Sequence, residues 1–431
     1  MTPSQIVASI IFLVTLVVIL TERIHRTTAA GLGAAVMVIV GIEMGFYSQE
    51  EALLAVDFNT LGLLLGMMIL VRLLEETGFF QYVAILTGKR SGGSPWVLLV
   101  ILGTTTTFLS MLLDNVTTVI LIAPVTILIA DILGINPIPL LLSEAILSNV
   151  GGVATLVGDP PNVIIGSAAD FSFNDFLIHL APIVIVAWLA ALVTLRFLFR
   201  KELKERPKNI DALMKIDERE ALKNPKNARK LLIILGIVIV FFFLHSQLHL
   251  QPATVAMGGA ALGLLWVRTN VEETFSHLEW GVLLFFTGLF VLVGGLEASG
   301  VLGILATGII DLATNNLLMA CVVLLWVAAI VSAVVDNIPF TIAMVPVIIS
   351  LGNMGVPTSP LWWALALGAG FGGNGTALGA TANVVVVSLS EKTRFPISMK
   401  IWLKKGFPVM LVTCAIATVM FVIFFEWMMT P

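Results

Sequence analysis

Apolar residues run through this chain in long unbroken stretches: 6–20, 29–42, 61–74, 178–193, 231–244, 253–267 and 406–425. Stretches of about 18 apolar residues span a bilayer as helices, and slightly shorter ones are accommodated by tilt or interfacial residues. The runs are continuous, whereas a membrane β-barrel shows alternation. The first run has no basic lead and ends in Thr21-Glu22-Arg23 with no small-residue cleavage site, so it reads as the first span rather than a signal peptide.

Polar and glycine interruptions recur. Leu112-Leu113-Asp114-Asn115-Val116 matches Val334-Val335-Asp336-Asn337-Ile338 at a shift of 222, as do Pro124-Val125 with Pro346-Val347 and Leu74-Glu75 plus Gly78 with Leu296-Glu297 plus Gly300. Gly151-Gly152 through Gly158 lines up with Gly372-Gly373 through Gly379 at 221, and Asn162-Val163 then meets Asn383-Val384. Ordered matches at one offset mark a duplication. Repeat one covers 1–200 and repeat two 231–431.

The connecting segment, 201–230 with Arg200 at its edge, holds eleven basic and six acidic residues and reads as a solvated cytoplasmic loop. Going outward from it, Arg23, Arg26, Arg72, Lys89, Arg90, Lys392, Arg394, Lys400, Lys404 and Lys405 fall inside. Glu43, Glu50, Glu51, Asp57, Asp170 and Asp175 fall outside. Both termini then face outward and each repeat crosses an odd number of times, which inverts the second copy. The segment 96–133 is too long for one helix. With Asp114-Asn115 at its centre it reads as a re-entrant hairpin, and 317–350 as its partner; two full spans each remain an alternative. The expected fold is an all-α polytopic membrane protein with two inverted repeats, about ten transmembrane helices, two re-entrant hairpins and broken helices at the site.

Composition agrees with membrane residence. Hydrophobic residues are 58% and charged residues 12% of the chain, and mean hydropathy is +1.04; ordinary soluble domains are about a quarter charged. The net charge of -4 gives no reason to expect a nucleic-acid partner. Cys321 and Cys414 each lie inside an apolar run, where cysteine behaves as a small hydrophobe. No phosphate-binding loop, nucleophile elbow or His/Glu/Asp metal spacing occurs, so no enzyme, cofactor or metal site is expected. ATP coupling would need a separate soluble ATPase subunit docked on the charged segment.

Ionisable groups at membrane depth are costly and are functional candidates by default. Asp114, Asp336 and Asp159 are the candidates for ion or proton coupling. Each hairpin Asp also suits a helix N-cap, which is compatible with a binding role at a half-helix terminus. Glycines and the Pro160-Pro161 pair break helices and free backbone groups. Asn115, Thr117, Gly151, Gly152, Thr155 and Asn162, with Asn337, Gly373, Asn374, Thr376 and Asn383, are therefore the candidate substrate contacts. Glu144 lies in a mostly apolar run and reads equally as a proton carrier or as a near-surface residue. Glu75, Glu297, His245 and His249 read as interfacial.

These blocks, Leu113–Thr118, Asn149–Thr155, Gly158-Asp159-Pro160-Pro161-Asn162-Val163, Asp336–Phe340 and Gly372–Thr376, resemble the ion transporter superfamily over the whole chain. Within it, they resemble the group of arsenite permeases, NhaD-type sodium/proton antiporters and the melanosomal P protein. The resemblance implies outer helices around two opposed hairpins and two broken helices, with substrate between tips and breaks and elevator-like or rocking motion. Related dicarboxylate carriers have Ser-Asn-Thr where this chain has Asp-Asn. An ionised Asp repels a dianion at short range by several kcal/mol, which disfavours citrate or succinate.

The expected function is secondary transport in the plasma membrane. Arsenite or antimonite export in exchange for protons comes first, and sodium/proton antiport second. A homodimer is compatible with the sequence. Neither cysteine is near the motifs, so thiolate coordination of As(III) is not expected.

Overall fold

The computed structural model describes residues 1–430 other than 22, 205, 206 and 208. Glu22 at the end of the first run, and Glu205, Arg206 and Lys208 of the connecting segment, thus lie outside the described residues. The helices are, in order, α1 (Pro3–Thr21), α2 (Arg26–Met44), α3 (Gln49–Leu54), α4 (Phe58–Glu76), α5 (Phe79–Arg90), α6 (Pro95–Ser110), α7 (Asn115–Leu133), α8 (Ile138–Gly152), α9 (Pro160–Ala169) and α10 (Phe173–Leu198). A short α11 (Ile210–Met214) follows in the connecting segment. Then come α12 (Pro225–Leu244), α13 (Pro252–Val267), α14 (Val271–Ser276), α15 (Trp280–Ser299), α16 (Val301–Asn315), α17 (Leu317–Val334), α18 (Asn337–Asn353), α19 (Ser359–Gly372), α20 (Thr381–Glu391), α21 (Met399–Ile423) and a last turn, α22 (Phe425–Met428). No strand occurs among the described residues. Eight of these helices are long and apolar enough to cross a membrane. The protein is an all-α polytopic membrane protein.

The ten elements α1–α10 recur in the same order as α12–α21. Their packing is reciprocal: α4 lies on α13 and α15 on α2, α7 meets α20 and α18 meets α9, and α10 runs against α21. Each copy therefore completes the other's core.

Local chemistry sets the breaks. Pro160 and Pro161 begin α9, where a missing N–H costs no hydrogen bond. Before them, α8 ends at Gly152 and the chain turns through 153–159. Fifteen residues of α8 and ten of α9 give roughly 22 and 15 Å of helix at 1.5 Å per residue, so the break lies inside the span. Asp114 caps α7 by accepting from Thr117 N at 2.9 Å, and Asp336 caps α18 by accepting from Ile338 N at 3.3 Å. The turn between α6 and α7 reaches the break: Thr155 Oγ1 donates to Met111 O at 2.5 Å. Thr376 Oγ1 makes the matching bond to Ala333 O, also 2.5 Å. Each turn that carries a hairpin aspartate is thus joined to a helix break.

The connecting segment is more structured than its charge pattern implies. Leu213 is fully buried, and α11 packs on α5 and α7. Lys89 Nζ reaches Glu218 at 2.6 Å and Ile216 O at 3.0 Å. This bond holds the Glu218 carboxyl below its usual range. Leu213 and the ion pairs Lys89–Glu218 and Lys405–Glu202 fasten a segment that its sequence pattern presents as solvated. His245 is buried and accepts from Phe173 N at 3.1 Å.

Candidate functional site

Each break is held by an asparagine. Asn162 Nδ2 donates to the carbonyls of Gly152 (3.3 Å), Val153 (3.0 Å) and Thr155 (2.8 Å). Asn383 Nδ2 donates to Gly373 O (2.7 Å) and Thr376 O (2.9 Å). A helix break leaves carbonyls without partners, and buried carbonyls must find some; these two side chains supply them. Asn162, Asn383, Thr155 and Thr376 therefore brace the breaks through bonds internal to their own repeat. Gly151, Gly152 and Gly373 are buried at the same place and make room for close backbone approach. A Cβ on Gly151 would meet Thr107 O at 2.7 Å, and one on Gly152 would meet Gly158 O at 2.6 Å.

The hairpin tips differ. Asn115 is buried and stays within its own repeat. With its amide nitrogen toward Gly158 O and Ser148 O, each bond is 3.1 Å long. Ser110 also meets the Asn115 amide and donates to Ser148 O at 2.8 Å. Asn337 instead crosses to the first repeat, where its Nδ2 lies 3.4 and 3.3 Å from the two oxygens of Asp159. Asp159 is 2% exposed and has Ala380 as its counterpart, so this carboxylate belongs to one repeat only. Asn149, also unmatched, donates to Asn374 Oδ1 and Asn383 Oδ1 at 2.9 Å each. The two repeats thus meet at the centre of the protein through buried polar side chains.

Beside this junction is a cavity of about 50 Å³ whose lining includes Arg26, Asp114, Thr117, Pro160, Glu279 and Thr381. Arg26 enters it from the first turn of α2. Its Nη1 lies 2.6 Å from Thr381 Oγ1 and 3.4 Å from Asp336 Oδ2, and Thr381 Oγ1 donates to the same oxygen at 2.8 Å. The guanidinium also lies 5.3 Å from the centroid of the Phe285 ring, within cation–π range. Asp114 keeps to Thr117, whose hydroxyl donates to it at 2.5 Å.

Two larger vestibules approach this centre. One, of about 340 Å³, is bounded by Ile24 and His25 before α2 and by Phe285, Asp336, Thr381 and Val384. The other, of about 440 Å³, is bounded by the His245–Pro252 turn and by Leu63, Leu156 and Val163. Phe285 and Leu63 are equivalent positions at the 222 offset, as are Val384 and Val163 at 221. The vestibules are therefore counterparts, but only the first reaches a hairpin aspartate.

The structure brings Asp114, Thr117, Asp159, Asp336, Asn337 and Asn374 to one region. It adds Arg26, Glu279, Thr381 and Asn149 to that region. Arg26 reads in the sequence as an inside-loop charge, and that reading hides its reach. Glu279 shows only as the residue before an apolar run. Glu144 is fully buried, so its near-surface reading does not hold. Cys321 and Cys414 are buried and unpaired.

Comparison with known proteins places this architecture. The CitMHS family model, described as a citrate transporter, matches residues 16–368. A 46 kDa membrane protein of Mycobacterium leprae is 43% identical over 96% of this chain and 97% of its own length. An uncharacterized transporter of Mycobacterium tuberculosis is 42% identical over 96% of this chain and 97% of its own length. The human P protein is 32% identical over 92% of this chain, which corresponds to 57% of that longer protein. The crystal structure of the Alcanivorax borkumensis YdaH transporter, 15% identical, superposes with a TM-score of 0.62 over the whole of both chains and so shares the fold. The chain is a membrane transporter and belongs to the CitMHS family.

Proposed function

We propose that the protein is a secondary transporter that exports a small hydroxylated inorganic solute, arsenous or antimonous acid, in exchange for protons. The observation that carries this reading is the pairing of a small central cavity with an excess of carboxylates. Asp114 and Glu279 line it, Asp336 and Asp159 border it, and Arg26 is the one cation among the described residues lining it. A cavity of about 50 Å³ has room for roughly three or four waters. A neutral trihydroxy solute fits that size and finds Thr117, Thr381 and the carboxylates as partners. Citrate, named in the family description, would bring three more negative charges to the same place. In this reading 1–200 and 231–431 act as inverted halves in the plasma membrane, both termini outside, with Asp114, Asp159 and Asp336 as coupling groups.

Sodium/proton antiport is the second reading. It is favoured by Asp159, a buried carboxylate whose partners include the neutral Asn337 amide. Proteoliposomes with an imposed pH gradient separate the readings. Labelled arsenite uptake without a sodium-driven pH change supports the first. A sodium-driven pH change without arsenite uptake replaces it with the second. Gradient-driven uptake of labelled citrate, with neither of the others, overturns both.

A further inference from the structure

Glu144 is a buried carboxyl group with no part in the constellation above. It is wholly buried in α8, where every residue from Pro139 to Gly152 is buried. Its Oε1 accepts from Thr126 Oγ1 of α7 at 2.5 Å, and its Oε2 has no partner. No cation among the described residues neutralises it. Of the helices packed on α8, α6 and α19 carry no ionisable residue, and Asp131 of α7 and Glu391 of α20 are exposed. On α10, Asp175 caps its own helix, His179 bonds to Asp175 O, and Arg196 lies over Trp96. On α21, Lys400 and Lys404 are exposed and Lys405 is held by Glu202.

Glu144 shares one face of α8 with a residue that meets the first hairpin tip. Ser148 follows Glu144 by four residues, which puts both on one face of α8 about 6 Å apart along the axis. Ser148 Oγ donates to Ser110 Oγ at 3.1 Å and to Asn115 O at 3.3 Å. Thr126, the residue that meets Glu144, lies eleven residues beyond Asn115 on α7, so the Glu144–Thr126 contact is set well along the α7–α8 interface from the tip. Glu144 has Leu365 at its counterpart position, so this buried carboxyl group exists in one repeat only.

We propose that Glu144 is a proton-binding site of the transport cycle, separate from the aspartates at the junction, with Thr126 as its hydroxyl partner. The inference rests on the proton-coupled reading above. The step is carboxylate plus proton to carboxylic acid and back, with no other reactant. A carboxyl group that alternates between these forms needs a hydroxyl donor for the charged state and a free oxygen for the proton; Thr126 and Oε2 meet those needs.

The test uses the full chain in proteoliposomes and compares wild type with Glu144→Gln and Glu144→Asp. Arsenite counterflow, which needs no net proton movement, is measured beside uptake driven by a pH gradient. Glu144→Gln should keep counterflow while gradient-driven uptake falls to the no-gradient rate, and Glu144→Asp should restore part of the driven uptake. Full driven uptake with an unchanged pH profile in Glu144→Gln overturns the proposal. If wild type shows no arsenite counterflow, the solute assignment fails. Infrared difference spectra between two pH values then decide the proton site: a carboxyl band present in wild type and absent in Glu144→Gln supports it, and identical spectra overturn it. Should Glu144→Gln not fold, Thr126→Val serves instead, with a shifted infrared titration expected and an unshifted one overturning the proposal.

Discussion

Arg26 and Asp336 meet at 3.4 Å although 310 positions separate them, and the second bond of Arg26, to Thr381, ties the start of α2 to both the second hairpin and the second break. The side chains are 30% and 17% exposed, so the pair is neither a free surface contact nor a dry interior one. Removing the arginine leaves a half-buried carboxylate unpaired, a change that costs more than the pair itself contributes. Arg26→Ala should lower transport by about tenfold, equivalent to ~1.4 kcal/mol. Arg26→Lys should recover only part of it, because an ammonium lacks the planar guanidinium that lies over the Phe285 ring. In an Arg26→Ala background, Asp336→Asn should cost much less than it does alone. Additive losses in this double-mutant cycle would show that the two residues do not act through each other.

Asp159 and Asn337 form the polar contact across the junction. Asn337→Asp would place two carboxylates in the positions now 3.3 to 3.4 Å apart. The variant is expected to lose transport and thermal stability at neutral pH. The exchange Asn337→Asp with Asp159→Asn restores one carboxylate and one amide and should recover stability in a melting assay. No recovery would mean that each residue has contacts the other cannot supply.

Close backbone approach at the breaks predicts steric sensitivity. A Cβ on Gly158 would lie 2.7 Å from Ser110 O, and one on Gly379 would lie 3.0 Å from Ser332 O. Gly158→Ala should destabilise by about 1–3 kcal/mol, as overpacking does, and Gly379→Ala by a similar amount, because a Cβ there would also meet Gly373 O at 2.6 Å. Gly236, with nothing within 4 Å, is the control and should tolerate Ala. Detergent melting curves of the three variants provide the measurement.

The Lys89–Glu218 contact predicts a pH response outside the membrane. The Glu218 carboxyl is held below its usual range, so its contribution is complete above the ordinary glutamate value of about 4.3. It is lost as pH falls through the lowered value. Protease cleavage of the 201–230 segment should therefore be slow at neutral pH and faster in acid, and Lys89→Ala should show the fast rate at neutral pH. Equal rates for the variant and wild type at neutral pH would count against the contact as the fastening.

The helical membrane fold was legible because apolar run length reports bilayer span directly, and the duplicated blocks marked the hairpin tips and breaks. Asp114, Asp336, Asn162 and Asn383 stand out for that reason. Their division of labour was not legible: only coordinates reveal that Asn162 and Asn383 brace carbonyls of their own breaks while Asn337 crosses to Asp159. Arg26 was hidden by a sufficient local explanation, since a basic residue at a helix start needs no distant partner. The anchoring of Leu213 was hidden because the few apolar residues around it, Ile210, Met214 and Ile216, are scattered among charges over a short stretch.

The two vestibules have a consequence for how the molecule spends its time. Equivalent walls mean that one conformation carries the template for a second, in which Leu63 and Val163 take the places that Phe285 and Val384 hold now. The closures are not equivalent, however, because the His245–Pro252 turn has no arginine to match Arg26. One door is bolted by an ion pair and the other by neutral hydrogen bonds, such as Phe173 N to His245 and Ala253 N to Asn59. Ionic strength should therefore bias which way the protein faces, even with no solute bound.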